Sequence, residues 1–113
     1  MNKFLSLDKV NKFHDLNQNC IIINPVQQFE KRPISKYDEE EISNLAENIN
    51  LIVKYQKSIK IRKPTPSVFF GKGQIESFKI YLKKYSSNLL LINYQISSVQ
   101  QRNLELSLNC KIL

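Results

Sequence analysis

The chain of 113 residues has very little glycine: only Gly71 and Gly73, which flank Lys72. This scarcity excludes the two common glycine-rich phosphate loops. A Walker loop needs GxxxxGK followed by Ser or Thr, so that several backbone amides wrap the phosphates and a hydroxyl meets Mg²⁺. Here Gln74 follows a much shorter loop. A dinucleotide fingerprint needs a third glycine where Glu76 stands. The sequence therefore predicts no nucleotide-binding residues.

The same loop lies in the stretch PSVFFGKGQIESF, residues 66–78, between a strand-like apolar run and a helix-like pattern. Two interpretations remain open. Gly71 and Gly73 can provide the backbone freedom for a tight strand-to-helix turn. Alternatively, the free amides at the start of the helix can bind an anion weakly, with Lys72 alongside.

Long apolar runs are also missing. The longest uninterrupted stretches are CIII at 20–23 and LLLI at 89–92, far short of a membrane span or a signal sequence. The sequence therefore predicts no membrane span, and we expect a cytoplasmic protein.

Residues of catalytic and metal chemistry are sparse. Cys20 and Cys110 lie in apolar runs without a partner at metal-ligand spacing, which predicts buried, reduced thiols. His14 is the only histidine and has no evident partner, so we expect it on the surface. The acidic cluster 38–41 is better explained by helix capping than by metal binding. We expect no catalytic residue and no metal site, and hence no enzyme activity from this chain alone.

Negative charge is nearly absent from the second half. Residues 1–56 carry seven Lys/Arg and eight Asp/Glu, a net −1, whereas residues 57–113 carry ten and two, a net +8. The excess begins in KYQKSIKIRK, residues 54–63, and indicates an anionic partner, with nucleic acid the usual candidate. The chain is also rich in Lys, Asn and Ile, so the composition of an AT-rich genome is an alternative source of the lysines.

Strands and helices alternate along the chain with short connections. We predict strands at 19–26 (ended by Pro25), 51–61, 67–70, 88–93 and 110–113, and helices at 38–49, after Gly73, and from Ser97 or Ser98. Such alternation predicts an α/β fold: a small, mostly parallel sheet of about four strands with helices on both faces. Residues 1–18 are a poorly determined N-terminal segment, and residues 19–113 form the α/β unit.

Two blocks of the second half, in this order, resemble a known family. The first comprises Pro66, Gly71, Lys72, Gly73, Gln74, Ile75 and Glu76, and the second Ser97, Gln100, Arg102, Asn103, Leu104 and Glu105. Together they resemble the N-terminal domain of HflX, a ribosome-associated GTPase of the Obg-like group. The resemblance covers about residues 38–113. The chain departs from it at Ser98, where the family has proline, and at residues 48–50, where many members have a glycine.

The resemblance implies more than the residues show. The full-length protein would be a bacterial GTPase that uses GTP and Mg²⁺, binds the large ribosomal subunit through rRNA, and helps to dissociate stalled ribosomes. The chain stops in a rising apolar strand, so we expect a first α/β subdomain, without the helical subdomain and GTPase domain that follow in the family. Its partners would be the ribosome and its own GTPase domain.

For RNA contact, the basic residues of the second half are the candidates: Lys57, Lys60, Arg62, Lys63 and Lys72. Arg102 is a further candidate, although it can instead pair with Glu105 three residues on. Two alternatives stay open at this point. The chain can be a structural module that docks on its own GTPase domain without touching RNA, or a stand-alone weak nucleotide or anion binder.

Overall fold

The computed structural model describes residues 18–29 and 32–113. The expectations for residues 1–17, including a surface position for His14, lie outside this part. In chain order the elements are β1 (Asn19–Gln27), β2 (Arg32–Pro33), α1 (Glu39–Asn48), β3 (Ile52–Ile61), α2 (Lys72–Lys84), β4 (Leu89–Ile92), α3 (Ser98–Leu108) and β5 (Lys111–Ile112).

The strands form one sheet with β1 at its centre. β3 and β4 flank β1, both parallel to it, and β5 pairs in parallel with β4. The two residues of β2 run antiparallel to the end of β1. The prediction of a small, mostly parallel α/β sheet is confirmed, and β2 is an antiparallel addition to it.

Alternate residues of β1 divide the interior into two cores. Ile21 and Ile23 pack in a cluster with residues of α2 and α3, whereas Cys20 and Ile22 pack in a second cluster with residues of α1. Side chains of a strand alternate between the two faces of the sheet, so one strand serves both clusters. Helices therefore cover both faces, as predicted: α1 on one, α2 and α3 on the other.

β1 does not end at Pro25, as the sequence suggested, but continues to Gln27. Proline is tolerated because β4 ends at Ile92, opposite Ile23, so no β4 residue faces the missing N–H of Pro25. The carbonyl of Pro25 instead accepts hydrogen bonds from the Ile34 amide at 3.1 Å and the Ser35 hydroxyl at 3.0 Å.

The predicted strand at 67–70 is wrong. This segment is a turn closed by two hydrogen bonds between the backbones of Thr65 and Phe69, of 3.1 and 3.0 Å. Phe69 has a φ of 68°, a left-handed conformation that is costly for a bulky side chain. Phe69 and Phe70 are nonetheless buried, and ring contacts join Phe69 to Tyr94 and Phe70 to Phe78. The apolar run therefore reflects burial in a turn and not a strand.

Two helices begin with capping boxes at the positions where the sequence predicted helix starts. At α1 the Asp38 carboxylate accepts from the Glu41 amide at 2.8 Å, and this bond lowers the pKa of Asp38. At α3 the Ser97 hydroxyl accepts from the Gln100 amide at 3.1 Å. These local signals set the start of each helix.

Candidate nucleic-acid interface

The loop containing both glycines does not depend on their backbone freedom. No glycine has a positive φ, and Gly71 is an ordinary extended N-cap with φ −75° and ψ 162°. A Cβ on Gly71 would meet only the Gln74 side chain, at 3.9 Å, and a Cβ on Gly73 would meet nothing within 4 Å. The turn that the glycines were expected to allow therefore forms without a backbone conformation that requires glycine. Weak anion binding at this point stays a prediction.

Gln74 fixes the start of α2 against the edge of the sheet. Its side-chain oxygen accepts from the Gly71 amide at 3.0 Å, and its side-chain nitrogen donates to the Lys60 carbonyl at 2.7 Å. One side chain thus caps the helix and joins it to β3. This geometry gives the first family block a structural role.

Residues of the second block, on α3, bind the backbone of the connection between β3 and α2. Gln100 accepts from the Ser97 amide at 2.9 Å and donates to the Thr65 carbonyl at 2.9 Å. One turn further along α3, Asn103 donates to the Ser67 carbonyl at 2.8 Å. Both amide side chains therefore hold the turn between β3 and α2, the same turn that carries the strained Phe69.

Glu105 does not pair with Arg102. Its carboxylate accepts from the Ile112 amide at 3.1 Å and lies 3.8 Å from the Lys111 ammonium, which ties α3 to β5. Arg102 is exposed and forms no ion pair within the described part of the chain. Glu76 is engaged with Lys79 at 3.1 Å on the surface of α2. Of the family-motif residues, Lys72 and Arg102 are thus charged groups left facing solvent.

The structure separates the predicted RNA-contacting residues into three groups. Lys57 pairs in register with Ile23 and shares its face of the sheet, the face covered by α2. Lys60 follows three residues later and points to the opposite face, which α1 covers. Arg62, Lys63 and Lys72 are exposed in the connection after β3 and in the first turn of α2.

Lys57 is held in place by a tyrosine cluster that the sequence prediction missed. The Lys57 ammonium donates to the Tyr81 hydroxyl at 3.2 Å and lies 5.6 Å from the centre of that ring. Tyr55 packs at 5.0 Å against both Tyr81 and Tyr85, stacked on Tyr85 at an interplanar angle of 14°. The Lys84 ammonium lies 5.4 Å from the centre of the Tyr85 ring. The spacing of Tyr81 and Tyr85, one helical turn apart, was the available signal.

The hydrogen bond to Tyr81 raises the pKa of Lys57, and the electrostatic influence of Tyr81 and then Tyr55 adds to this. A lysine is already charged at neutral pH at its ordinary pKa, so this shift does not alter the charge of Lys57 there. An ammonium group that is both charged and fixed in position is a suitable contact for an anion.

Charge differs between the two helical layers. α1 carries Glu39, Glu40, Glu41 and Glu47 and no Lys or Arg. On the opposite face, α2 carries Lys72, Lys79, Lys83 and Lys84 against Glu76 alone. The two helical layers therefore differ in charge: α1 is acidic, α2 is basic, and α3 carries one Arg and one Glu.

The crevice at the carboxyl ends of β1 and β4, where ligands often bind in α/β sheets, is occupied by the chain itself. The Asn93 side chain donates to the Tyr37 carbonyl at 2.6 Å and to Asn24 at 2.7 Å, and accepts from the Tyr37 amide at 3.0 Å. The Lys36 amide donates to the Asn93 carbonyl at 2.9 Å. Residues 34–37 therefore close the usual ligand position.

Both thiols are free; Cys20 is buried as predicted, whereas the prediction of burial is not met at Cys110. Burial raises the pKa of Cys20 to about 12. Burial first, and then the Glu105 carboxylate, raise the pKa of Cys110 to about 12, although its side chain is only half-buried. Thiolate is the nucleophilic form, so neither cysteine is activated for chemistry at neutral pH. In the part of the chain that is described, no group of acidic, histidine or cysteine side chains could hold a metal ion.

The fold is thus an α/β sheet in which amide side chains of both motif blocks anchor one turn. The sequence model of the family described as GTP-binding GTPase N-terminal matches residues 36–113, so the chain belongs to that family. Among the helices of the described residues, none is long and apolar enough to cross a membrane.

Three relatives narrow the family further, and each is named GTPase HflX. The chain is 24% identical over 100 residues to the protein from Magnetococcus marinus. The aligned region covers 88% of this chain and 23% of the relative. It is 27% identical over 88 residues to the protein of Treponema denticola, an alignment that covers 78% of this chain and 22% of the relative. It is 26% identical over 96 residues to the protein of Flavobacterium psychrophilum, with 85% of this chain and 23% of the relative covered. The resemblance to the HflX N-terminal domain is confirmed, and the chain spans less than a quarter of these relatives.

Proposed function

We propose that the chain is the N-terminal regulatory domain of an HflX-type GTPase and that it binds the large ribosomal subunit through rRNA. The full-length protein hydrolyses GTP with Mg²⁺ in the bacterial cytoplasm and dissociates stalled or stressed ribosomes. The domain contributes contacts to rRNA and influences the GTPase domain. The observation that carries this proposal is the family match over residues 36–113, together with relatives that are all HflX GTPases.

The segregation of charge supports the RNA part of the proposal. Binding of nucleic acid by lysine and arginine releases counterions from the phosphates, and a basic surface on one side of the sheet suits such a contact. Lys57, Lys60, Arg62, Lys63 and Lys72 are all exposed. They lie on β3, in the connection after it and at the start of α2, and no acidic residue stands between Lys54 and Lys72 in the sequence.

Cosedimentation of the 113-residue chain with purified large ribosomal subunits tests the proposal. We expect binding at low salt that weakens steeply as salt is raised, with a log–log slope of about −0.7 to −0.9 for each phosphate contacted. Replacing all five candidate basic residues by alanine should abolish binding. Failure to cosediment at low salt, or binding that is indifferent to salt, would reject direct RNA contact.

We also propose that this chain has no GTPase activity of its own. A Walker loop is missing from its sequence, and neither cysteine is activated. Incubation of the purified chain with GTP and Mg²⁺ should release no phosphate above background. Hydrolysis that survives repurification and scales with the amount of chain would contradict this.

A second candidate, docking on the GTPase domain of the same protein without RNA contact, is favoured by exposed apolar side chains on α2 and α3. Ile80, Val99 and Leu106 expose 64%, 62% and 72% of their surface. Under this alternative, alanine at these positions weakens docking of the chain on a separately expressed GTPase domain, and ribosome binding by the isolated chain is absent.

The third candidate, a stand-alone nucleotide binder, has the least support, because residues 34–37 fill the crevice where α/β sheets usually bind nucleotides. Calorimetric titration with ATP and GTP is the direct test. We expect no detectable heat of binding from either nucleotide.

A further inference from the structure

Strand β3 carries several of the basic residues, and its two faces differ chemically. A register shift between Cys20 and Ile21 sets the pairing of β1 with β3, so that Tyr55 lies beside Ile21 and Lys57 beside Ile23. Ile21 and Ile23 face the core under α2 and α3. Tyr55 and Lys57 therefore lie on the α2 side of β3, at the edge of the sheet. Within the described residues, β3 pairs only with β1, which leaves this edge accessible.

The α1 side of the same strand is acidic in character. Gln56 and Ser58 lie beside Ile22 and Asn24, and the Ser58 hydroxyl donates to the Glu39 carboxylate at 3.0 Å. Glu39 begins the first turn of α1, which also carries two further glutamates. Lys60 follows Ser58 two positions further along the strand and lies on this same side.

We propose that the RNA backbone binds on the α2 side of the β3 edge, anchored by Lys57 and Lys84 on the tyrosine cluster of Tyr55, Tyr81 and Tyr85, and that Lys60 lies outside this contact. The inference rests on the proposed function and deepens it. It narrows the RNA-binding surface from five basic residues to the α2 side of β3. Lys84, Tyr55, Tyr81 and Tyr85 are added to the site, and Lys60 is removed from it.

Preorganisation is the physical reason for the choice. A free lysine loses much rotamer freedom when it binds a phosphate, whereas Lys57 is already held by a hydroxyl and a ring. Lys84 is similarly placed over Tyr85, so two ammonium groups flank the three rings. Half-buried tyrosines beside lysines also suit single-stranded nucleic acid, because sugars and bases pack on aromatic surfaces while lysines contact the phosphates. An acidic protein segment would also contact the lysines, so competition by a polyanionic peptide is the test that distinguishes it from RNA.

The matched pair Lys57→Ala and Lys60→Ala tests which face of β3 binds RNA. Both side chains are exposed and lie three positions apart on the strand, and each substitution removes one positive charge. In ribosome cosedimentation we expect Lys57→Ala to weaken binding roughly five- to tenfold and to reduce the salt slope by about 0.7 to 0.9. Lys60→Ala should change the affinity less than about twofold. Lys84→Ala should behave as Lys57→Ala does.

A second variant tests the role of the tyrosine without changing charge. Tyr81→Phe keeps the ring and every lysine but removes the hydroxyl that accepts from Lys57. We expect a loss of affinity of roughly two- to threefold with an unchanged salt slope, since no phosphate contact is removed. A merely structural role for Tyr81 would leave the affinity unchanged in a folded variant, which circular dichroism can verify.

The outcomes separate the two proposals. Equal effects of Lys57→Ala and Lys60→Ala, or none from Tyr81→Phe, would overturn this inference while the proposed ribosome binding stands. Absence of ribosome binding by the unmodified chain at low salt would overturn both. Polyuridine should compete for the site far better than polyglutamate at equal charge concentration. If polyglutamate competes equally well, the surface suits an acidic protein segment, and the RNA assignment is overturned.

Discussion

At the scale of single residues, the polar positions of the two family blocks act chiefly through the backbone. The amide side chains of Gln74, Gln100 and Asn103 all donate to carbonyls of the segment from Lys60 to Ser67. Such a segment carries many backbone groups that no strand satisfies, and side-chain amides are the donors that satisfy them here. Three separate donors therefore hold the connection between β3 and α2 in one conformation.

Gln74→Ala should lower the free energy of unfolding by about 1–2 kcal/mol, because one change removes a helix cap and the bond to the Lys60 carbonyl. Urea denaturation measures the effect. Gln95→Ala is the matched control, since Gln95 is exposed and its side chain has no hydrogen bond among the described residues. Gln74→Glu keeps the acceptor for Gly71 but loses the donor, so its loss should be smaller. An effect no greater than that of the control would contradict this role.

At the scale of elements, the connection from β1 to α1 folds back over the ends of the parallel strands. Buried Asn24 and Asn93 join this connection to β4, and Asn24 also donates to Gln56 on β3 at 2.8 Å. A buried polar group destabilises the fold unless it is hydrogen-bonded. Every buried side-chain nitrogen or oxygen atom of the described residues has a hydrogen-bond partner. The network therefore fixes three strands and one loop relative to one another.

Asn93→Ala should destabilise the chain by about 2–4 kcal/mol, because it leaves Asn24 and both backbone groups of Tyr37 without their partner. Asn88→Ala provides the control: Asn88 is exposed near the start of β4, and its side chain has no hydrogen bond in the described ranges. Amide hydrogen exchange should show faster opening of residues 34–37 in Asn93→Ala alone. Unchanged protection there would mean that the network does not hold the loop.

At the scale of the whole molecule, β1 couples the two cores while the helical layers differ in charge. Ile22 and Ile23 are adjacent and fully buried, yet they contact different clusters on opposite faces. Disruption of either cluster removes packing contacts from β1, the strand that contributes residues to both clusters. We therefore expect the described part of the chain to unfold as one cooperative unit.

Ile22→Ala and Ile23→Ala should each reduce the free energy of unfolding by about 2–5 kcal/mol, the usual cost of truncating a buried isoleucine. Far-ultraviolet circular dichroism and tyrosine fluorescence should give the same urea midpoint in each variant. Tyr37 packs in the α1-side cluster, so it is replaced by Phe in this experiment. Tyr55, Tyr81 and Tyr85 then report on the α2 side, and Ile22→Ala, on the α1 side, should still shift their transition. Midpoints that separate between the two probes would show that the cores unfold independently.

Prediction from the sequence succeeded wherever the signal is local. The capping residues Asp38 and Ser97 begin α1 and α3 as expected, and the long apolar runs became central strands. It failed where a residue depends on distant neighbours. Pro25 lies within β1 because β4 ends before it, and the turn that contains Phe69 is held by Gln100 and Asn103 of α3.

The candidate site shows the same division. Sequence alone determined the α/β class, the starts of α1 and α3, the basic second half and the two blocks that indicate the family, because each depends on residue type and short spacing. Only the tertiary structure placed Lys57 on the tyrosine cluster and Lys60 on the acidic side of the same strand. Alternation along a strand tells which residues share a face, but the helix that covers that face is set by the packing of the whole sheet.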